Sequence, residues 1–190
     1  MILRGRIGWP ISAPGRILLG VRPGVGPPPS TALTTVTLQQ WLAQWQHKSA
    51  SVQARVNTAL DFLTTHYGAD KPDKILSEIK CIDFSHAVEL PEIPAGTKLV
   101  GSKDPRVSPY RAVYFTRAGT PTDRLGVSDT GAIRTNPTVL QKALYRYEVL
   151  VPVPKGECLQ SICAAAADTW SIDQKKTLVN GGGVQYLIPR

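Results

Sequence analysis

The chain has 190 residues, 42% of them hydrophobic and 19% charged, which fits one domain with an extension better than two full domains. Its 22 lysines and arginines outnumber its 14 aspartates and glutamates, and the net charge of +8 favours anionic partners such as a dinucleotide, a nucleic acid, an acidic protein or a lipid surface. No apolar run approaches the roughly 20 residues that a transmembrane helix needs, so we expect a soluble protein without membrane insertion.

The first 32 residues are rich in glycine, proline and arginine and include the run Pro27-Pro28-Pro29. Such a composition offers no periodic apolar face to offset the backbone entropy lost on folding. We therefore expect residues 1–32 to be a flexible leader or linker that joins the rest of the chain to another module. Gly8 and Pro10 interrupt any apolar core of a signal peptide, which argues against export by that route.

Residues 33–80 carry three helical patterns and are expected to form a helical subdomain. Thr37 and Gln40 match a capping box at the start of the first helix. The second pattern stops before Gly68, and the third follows Pro72. The apolar residues that recur at helical spacing are Leu38, Trp41, Leu42 and Trp45, then Val52, Val56, Ala59, Leu60 and Leu63, and finally Ile75 and Ile79. We expect the tryptophans of this region to be core residues rather than a platform for a ligand.

After Cys81, frequent prolines and glycines divide the chain into pieces that are too short for helices. Aromatic and β-branched residues concentrate in four of these pieces, which are therefore predicted to be strands: 98–100, 110–115, 147–153 and 184–188. In the third of them Pro152 indicates an edge position or a strand end. The stretch 159–170, with its run of four alanines, is expected to be helical or irregular.

The segment Gly181-Gly182-Gly183-Val184-Gln185-Tyr186 is the most informative motif in the sequence. Consecutive glycines allow backbone conformations and close approaches that side chains would block. If Val184 and Tyr186 face the core, alternation places Gln185 on the opposite face, beside the turn, where a ligand could reach it. Glycine-rich turns before strands are common, however, and a strand glutamine is usually solvated, so a purely structural role also fits the pattern.

A second cluster runs from Tyr110 through Gly126 and interleaves aromatic rings with arginines. Its candidate binding residues are Tyr114, Phe115, Thr116 and Arg117, with Arg124 further along. Rings stack on adenine or nicotinamide and guanidinium groups bind pyrophosphate oxygens, so this mixture suits a dinucleotide. It equally suits RNA or an ordinary surface strand. Trp170 is a further candidate for a stacking wall, although a lone tryptophan is more often a core residue.

Other chemistries have less support in the sequence. His47, His66 and His86 lack the spacing of a metal centre or a histidine-based nuclease, so no metal is expected. Three cysteines form no CxxC pair and no dense framework; a Cys158–Cys163 bridge stays open, but buried free thiols are favoured. The phosphate-binding loop, the dinucleotide fingerprint GxGxxG and the Gly-x-Ser-x-Gly elbow are all missing from the sequence.

The order of several short motifs resembles C-terminal toxin domains of bacterial polymorphic toxin systems, in particular the type 46 group. The resemblance spans roughly Cys81 to the end of the chain. The motifs are Ile82-Asp83-Phe84-Ser85, Pro94-Ala95-Gly96-Thr97-Lys98-Leu99, Val113-Tyr114-Phe115-Thr116, Asp123-Arg124-Leu125-Gly126, Asp168-Thr169-Trp170-Ser171 and Gly181-Gly182-Gly183-Val184-Gln185-Tyr186.

A looser resemblance is to the tuberculosis necrotizing toxin class of NAD glycohydrolases. Three segments carry it, in the same order as in that class: Asp123-Arg124-Leu125-Gly126, Tyr147-Glu148-Val149-Leu150-Val151-Pro152 and Gly182-Gly183-Val184-Gln185-Tyr186. The resemblance implies that Arg124 holds the phosphates and that Gln185 lies at the nicotinamide ribose, where many ADP-ribosyltransferases have a glutamate. Gly183, in the glycine run that permits close approach, is a further candidate for cofactor binding. The tyrosine that the class carries shortly after its Asp-Arg segment has no match at residues 131–134.

Together, the resemblances imply an α+β fold in which N-terminal helices precede a compact, split β-sheet of the ADP-ribosyltransferase type, with the toxin catalytic domain over residues 81–190. They imply a secreted effector that hydrolyses NAD+ to nicotinamide and ADP-ribose in a target cell, with NAD(P)+ as substrate, no metal and a cognate immunity protein. Two alternatives stay open: a protein ADP-ribosyltransferase with a protein acceptor, and, because of the charge of +8, a toxin directed at RNA or DNA or a noncatalytic binding module.

Overall fold

The computed structural model describes residues 3–6, 36–103, 114–125, 143–168 and 177–189. Three helices form a layer against an antiparallel sheet, which confirms the α+β class. The helices are α1, Leu38–Ala43, α2, Ala50–Tyr67, and α3, Pro72–Ile79. In the part of the chain that is described, no helix is long and apolar enough to cross a membrane.

The ends of the helices follow the sequence signals. The hydroxyl of Thr37 accepts a hydrogen bond from the backbone N–H of Gln40 at 3.2 Å, and the Gln40 side chain accepts one from the Thr37 N–H at 2.9 Å, which confirms the capping box. Gly68, with φ of 92°, ends α2. Pro72 begins α3, where its missing N–H costs no helical hydrogen bond.

The described residues form eight strands: β1, Leu3–Arg6, β2, Lys98–Lys103, β3, Tyr114–Arg117, β4, Ala143–Val149, β5, Leu159–Ile162, β6, Ala166–Asp168, β7, Thr177–Val179, and β8, Val184–Leu187. Six of them form one sheet in the order β1-β4-β2-β3-β8-β5, and each neighbouring pair in it is antiparallel. Strands β6 and β7 form a separate two-stranded sheet. A short 3₁₀ helix, Thr122–Leu125, lies between β3 and β4 in the sequence.

Three sequence-based expectations differ from these strands. Residues 159–168 contribute β5 and β6 and are not helical, because β5 pairs with β8 and β6 pairs with β7. The strand predicted over 147–153 ends at Val149, and Val151 beyond it is 50% exposed. Leu3–Arg6, within the segment expected to be a leader, pair with β4 at the edge of the sheet.

Two hydrophobic cores lie on opposite faces of the sheet. The first joins the three helices to Leu159 and Leu187 of β5 and β8, so the helices share a core with the sheet. Trp41 is buried there and Trp45 packs against it, which confirms the expected core role of these tryptophans. The second core includes Phe115, Tyr147 and Tyr186. The first core therefore contains residues from both sides of residue 80, where the sequence changes from helical to strand patterns.

Candidate active site

The glycine turn before β8 is closed by backbone hydrogen bonds. The Gly182 N–H donates to the Cys163 carbonyl at 2.8 Å, and the Cys163 N–H donates to the Gly183 carbonyl at 2.9 Å. Gly181 has φ of 67°, and a Cβ atom there would lie 2.5 Å from the carbonyl carbon of Ala164. No side chain fits at that distance, so the sequence needs glycine at this position for steric reasons.

Arg124 lies against the same turn. The Gly183 N–H donates to the Arg124 carbonyl oxygen at 2.9 Å, and a Cβ at Gly183 would approach that oxygen to 2.7 Å. A Cβ at Gly182 would lie 3.2 Å from Nη1 of Arg124, so the guanidinium group sits beside the bare backbone of the turn. The arginine is exposed to solvent. The structure thus brings together Arg124 and Gly183, which are far apart in sequence.

Gln185 is buried, with only 6% of its surface exposed. Its Nε2 donates to the Cys81 carbonyl at 3.0 Å and to the Ser161 hydroxyl at 3.1 Å. The expectation that Gln185 projects from an open face is therefore wrong. It lies on the same side of β8 as Leu187, which the helices cover, and Tyr186 is buried on the other side.

Two of the predicted nucleotide-binding residues share this face with Gln185. The first is Thr116, which lies beside Gln185 because the preceding residue, Phe115, pairs with Tyr186. The Thr116 hydroxyl donates to the Val184 carbonyl at 2.6 Å. Tyr114 pairs with Leu187 and packs half-buried against the helical core. Its hydroxyl is buried and has no hydrogen-bond partner among the described residues.

The other two candidate residues, Phe115 and Arg117, face the opposite side of the sheet. Phe115 is 2% exposed and packs edge-on against Tyr147, with ring centroids 5.1 Å apart, so it is a core residue and cannot stack on a ligand. Arg117 is exposed, and its Nε donates to the Tyr186 hydroxyl at 3.0 Å. Strand alternation therefore splits the cluster that the sequence presents as continuous.

None of the three cysteines is an activated nucleophile. All three thiols are free, and Cys158 and Cys163 are buried, as expected. Burial raises the pKa of Cys158 and of Cys163 to about 12. Burial, followed by the negative charge of Glu78, raises the pKa of Cys81. A thiol with a raised pKa stays protonated near neutral pH, and it is the thiolate that reacts.

The model of the bacterial toxin 46 family matches residues 39–189, which is more than half of the chain. The chain belongs to the bacterial toxin 46 family. This confirms the resemblance to polymorphic toxin domains that the order of the motifs indicates, and the match also takes in the helices, which the motifs do not cover.

Comparison with known structures agrees with this assignment at the level of the fold. The toxin domain is similar to Tse6, solved in complex with Tsi6, with a TM-score of 0.55 and 23% sequence identity. The similarity covers 73% of this chain and 90% of the Tse6 chain. No curated protein matches the toxin domain.

The remaining predicted residues and groups have mixed outcomes. Trp170 lies outside the described residues, as does the side chain of Asp123. In the described part of the toxin domain, no three His, Cys, Asp or Glu side chains are grouped so that they could bind a metal ion. Gln185 has two hydrogen-bond partners that the sequence does not reveal, namely Ser161 and the Cys81 carbonyl. The pairing of β5 with β8 brings Ser161 to the glutamine, and the end of α3 brings Cys81 to it.

Proposed function

We propose that this toxin domain is an NAD+ glycohydrolase whose active site lies where the glycine turn enters β8. The hydrogen bond from the Gly183 N–H to the Arg124 backbone carbonyl carries the proposal. It holds Arg124, whose guanidinium group is exposed and lies beside Gly182, against the turn that leads into Gln185. A cation for phosphate and an amide for ribose are the two anchors that a bent dinucleotide needs.

Arg124 is the proposed phosphate anchor. Its charge is solvent-accessible, and the neighbouring Gly182 has no side chain to obstruct a ligand. A guanidinium group binds pyrophosphate oxygens through paired N–H donors. The turn itself gives a dinucleotide close access to backbone, which a larger residue at 182 would deny.

Gln185 is the proposed ribose anchor. Departure of nicotinamide breaks the bond between its ring nitrogen and C1′ of the ribose, the electron pair leaves with nicotinamide, and C1′ becomes oxocarbenium-like. A water oxygen then bonds to C1′ and releases a proton, which yields ADP-ribose. Because a neutral amide orients hydroxyls but is a poor general base, the site favours reaction through positioning and strain, with water as acceptor.

The fold and domain assignments extend this proposal. We assign the catalytic unit to residues 81–190, with the helices of residues 33–80 completing its core. We assign its sheet to the ADP-ribosyltransferase type. Antiparallel pairing of β3, β8 and β5, with the glutamine on the middle strand, supports the assignment. A protein ADP-ribosyltransferase of the same fold is the alternative outcome, since it differs only in the acceptor.

The biological setting is part of the proposal. Membership of a bacterial toxin family supports an effector delivered by a specialised secretion route into a competing cell. The similar fold of Tse6, which was solved with a second protein bound, supports a cognate immunity protein for this domain. An acidic partner would complement the charge of +8.

The test is NAD+ and NADP+ consumption by the purified protein, with radiolabel in the adenylate half of the dinucleotide. We expect free ADP-ribose to accumulate, and Arg124→Ala and Gln185→Ala to lower kcat/KM by about a hundredfold or more while they keep the wild-type circular dichroism spectrum. Lys155→Ala, which removes one exposed positive charge elsewhere, is the matched control. Label on protein would favour the transferase. No turnover, together with salt-sensitive RNA binding that survives Gln185→Ala, would favour a nucleic-acid-directed toxin.

A further inference from the structure

The Gln185 amide has one orientation that its neighbours accept. Nε2 lies 3.0 Å from the Cys81 carbonyl oxygen and 3.1 Å from the Ser161 hydroxyl oxygen. A carbonyl oxygen only accepts hydrogen bonds, so the NH2 end of the amide must face Cys81. Both N–H groups therefore donate to protein acceptors. These two contacts do not involve Oε1, which can accept a hydrogen bond from a ligand.

Both acceptors belong to well-supported parts of the fold. The Cys81 carbonyl also accepts from the Ala164 N–H at 2.9 Å, and the Cys81 N–H donates to the Glu78 carbonyl at 3.0 Å, at the end of α3. Ser161 is 3% exposed and lies directly opposite Gln185 in the β5–β8 register. The amide is thus oriented by the backbone that leaves the helical layer and by the neighbouring strand.

We propose, on the basis of the function proposed above, that the Cys81 carbonyl and Ser161 are positioning groups for the side chain at residue 185, and that the Cys81 carbonyl, which only accepts hydrogen bonds, selects a neutral amide over a carboxylate there. A carboxylate would place a negative oxygen about 3 Å from the Cys81 carbonyl oxygen in a buried site, so that repulsion between the two oxygens adds to the cost of desolvation. A protonated carboxyl group, in contrast, donates through its O–H and accepts through its carbonyl, as the amide does. The glutamate that ADP-ribosyltransferases use therefore works here only in its neutral form.

The first test concerns Ser161. We expect Ser161→Ala to lower kcat by about tenfold, which is 1.4 kcal/mol of transition-state stabilisation, with KM for NAD+ changed less than about twofold. Ser161→Thr keeps the hydroxyl and should recover most of that loss. Full activity of a folded Ser161→Ala protein, next to an inactive Gln185→Ala protein, would overturn the proposal.

The second test concerns charge. We expect Gln185→Glu to be nearly inactive at neutral pH and to gain at least about tenfold in kcat relative to wild type between pH 7.5 and 5.5, because burial and the Cys81 carbonyl raise the carboxyl pKa. Gln53→Glu is the matched control, since Gln53 Nε2 likewise donates two hydrogen bonds, here to the backbone carbonyls of Gln46 and Lys48, but lies on α2, far from Gln185 in sequence. A Gln185→Glu profile parallel to that of wild type would contradict the proposal.

A third measurement does not depend on NAD+ and separates this inference from the proposed function. Hydrogen exchange of the Gln185 side-chain amide, followed by NMR, should be at least about tenfold slower in wild type than in Ser161→Ala. If wild type consumes no NAD+ but this difference is present, the function is wrong and the positioning is right. Equal exchange rates in the two proteins would refute the positioning itself.

Discussion

Leu159 on β5 lies directly opposite Leu187 on β8, and both side chains enter the core that the helices build. Each is at most 3% exposed. The helical layer and the sheet meet at this pair, as they do at Tyr114, so the two layers depend on the same buried contacts.

We therefore expect Leu187→Ala to destabilise helices and sheet together. Truncation of a buried leucine costs about 2–5 kcal/mol, through lost burial and the cavity left behind. Urea unfolding followed by far-ultraviolet circular dichroism and by tryptophan fluorescence should show one shared, lowered midpoint. Val151→Ala, at a position 50% exposed, should change the midpoint little. Two separated transitions would contradict a common core.

Gly183→Ala should separate Arg124 from the turn. The added Cβ would lie 2.7 Å from the Arg124 carbonyl oxygen and 3.0 Å from the Arg124 Cβ, so the backbone has to shift. We expect the rate of NAD+ consumption to fall by about a hundredfold, because moving an anchoring group by about 1 Å lowers the rate by that order. Gly96→Ala introduces strain at φ of +80° without any neighbour within 4 Å, and should retain activity. Equal activity of both variants would show that the turn does not position the site.

Acid should weaken the protein through Asp83. Hydrogen bonds from Ser85, chiefly its side chain, hold the pKa of the Asp83 carboxyl below its ordinary value, and the positive form of His86 adds to this. A lowered folded-state pKa gives stability that is present above the unfolded pKa of about 3.9 and disappears as pH falls through the folded value. Between pH 6 and 2, the urea midpoint should fall more for wild type than for Asp83→Asn. Parallel curves would refute this linkage.

The buried thiols should react only after unfolding. Because burial raises the pKa of Cys158 and Cys163 to about 12, they carry almost no thiolate at pH 8. We expect a thiol-specific chromogenic reagent to label these two residues slowly in native protein and fast in denaturant. Mass mapping of the labelled peptides identifies the sites. Rapid native labelling of Cys158 would contradict its burial.

Local signals predicted the helical layer well. The capping box at Thr37, the stop at Gly68 and the start at Pro72 act within one turn of chain, so a single sequence displays them. Order of short motifs was also enough to place the chain among bacterial toxins, and the family match confirms it.

Strand partners decided what the sequence could not show. Residues 159–162 read as helical or irregular in isolation, but β8 pairs with them and makes them a strand. Gln185 is buried because helices distant in sequence cover its face of the sheet, and the same pleat sends Thr116 and Arg117 to opposite sides. The proximity of Arg124 to Gly183 likewise depends on a contact between segments that are far apart in sequence, and no local sequence pattern predicts it.

Strand order has a consequence for the synthesis of this protein. β8 comes last among the described strands, yet it lies inside the sheet between β3 and β5. A nascent chain on the ribosome therefore lacks this interior strand until residues 184–187 have emerged, and contacts between such distant segments form late in folding. The proposed ribose anchor sits on that strand, so a partly translated chain carries no assembled site. The proposed site can therefore assemble only after residue 187 has been translated.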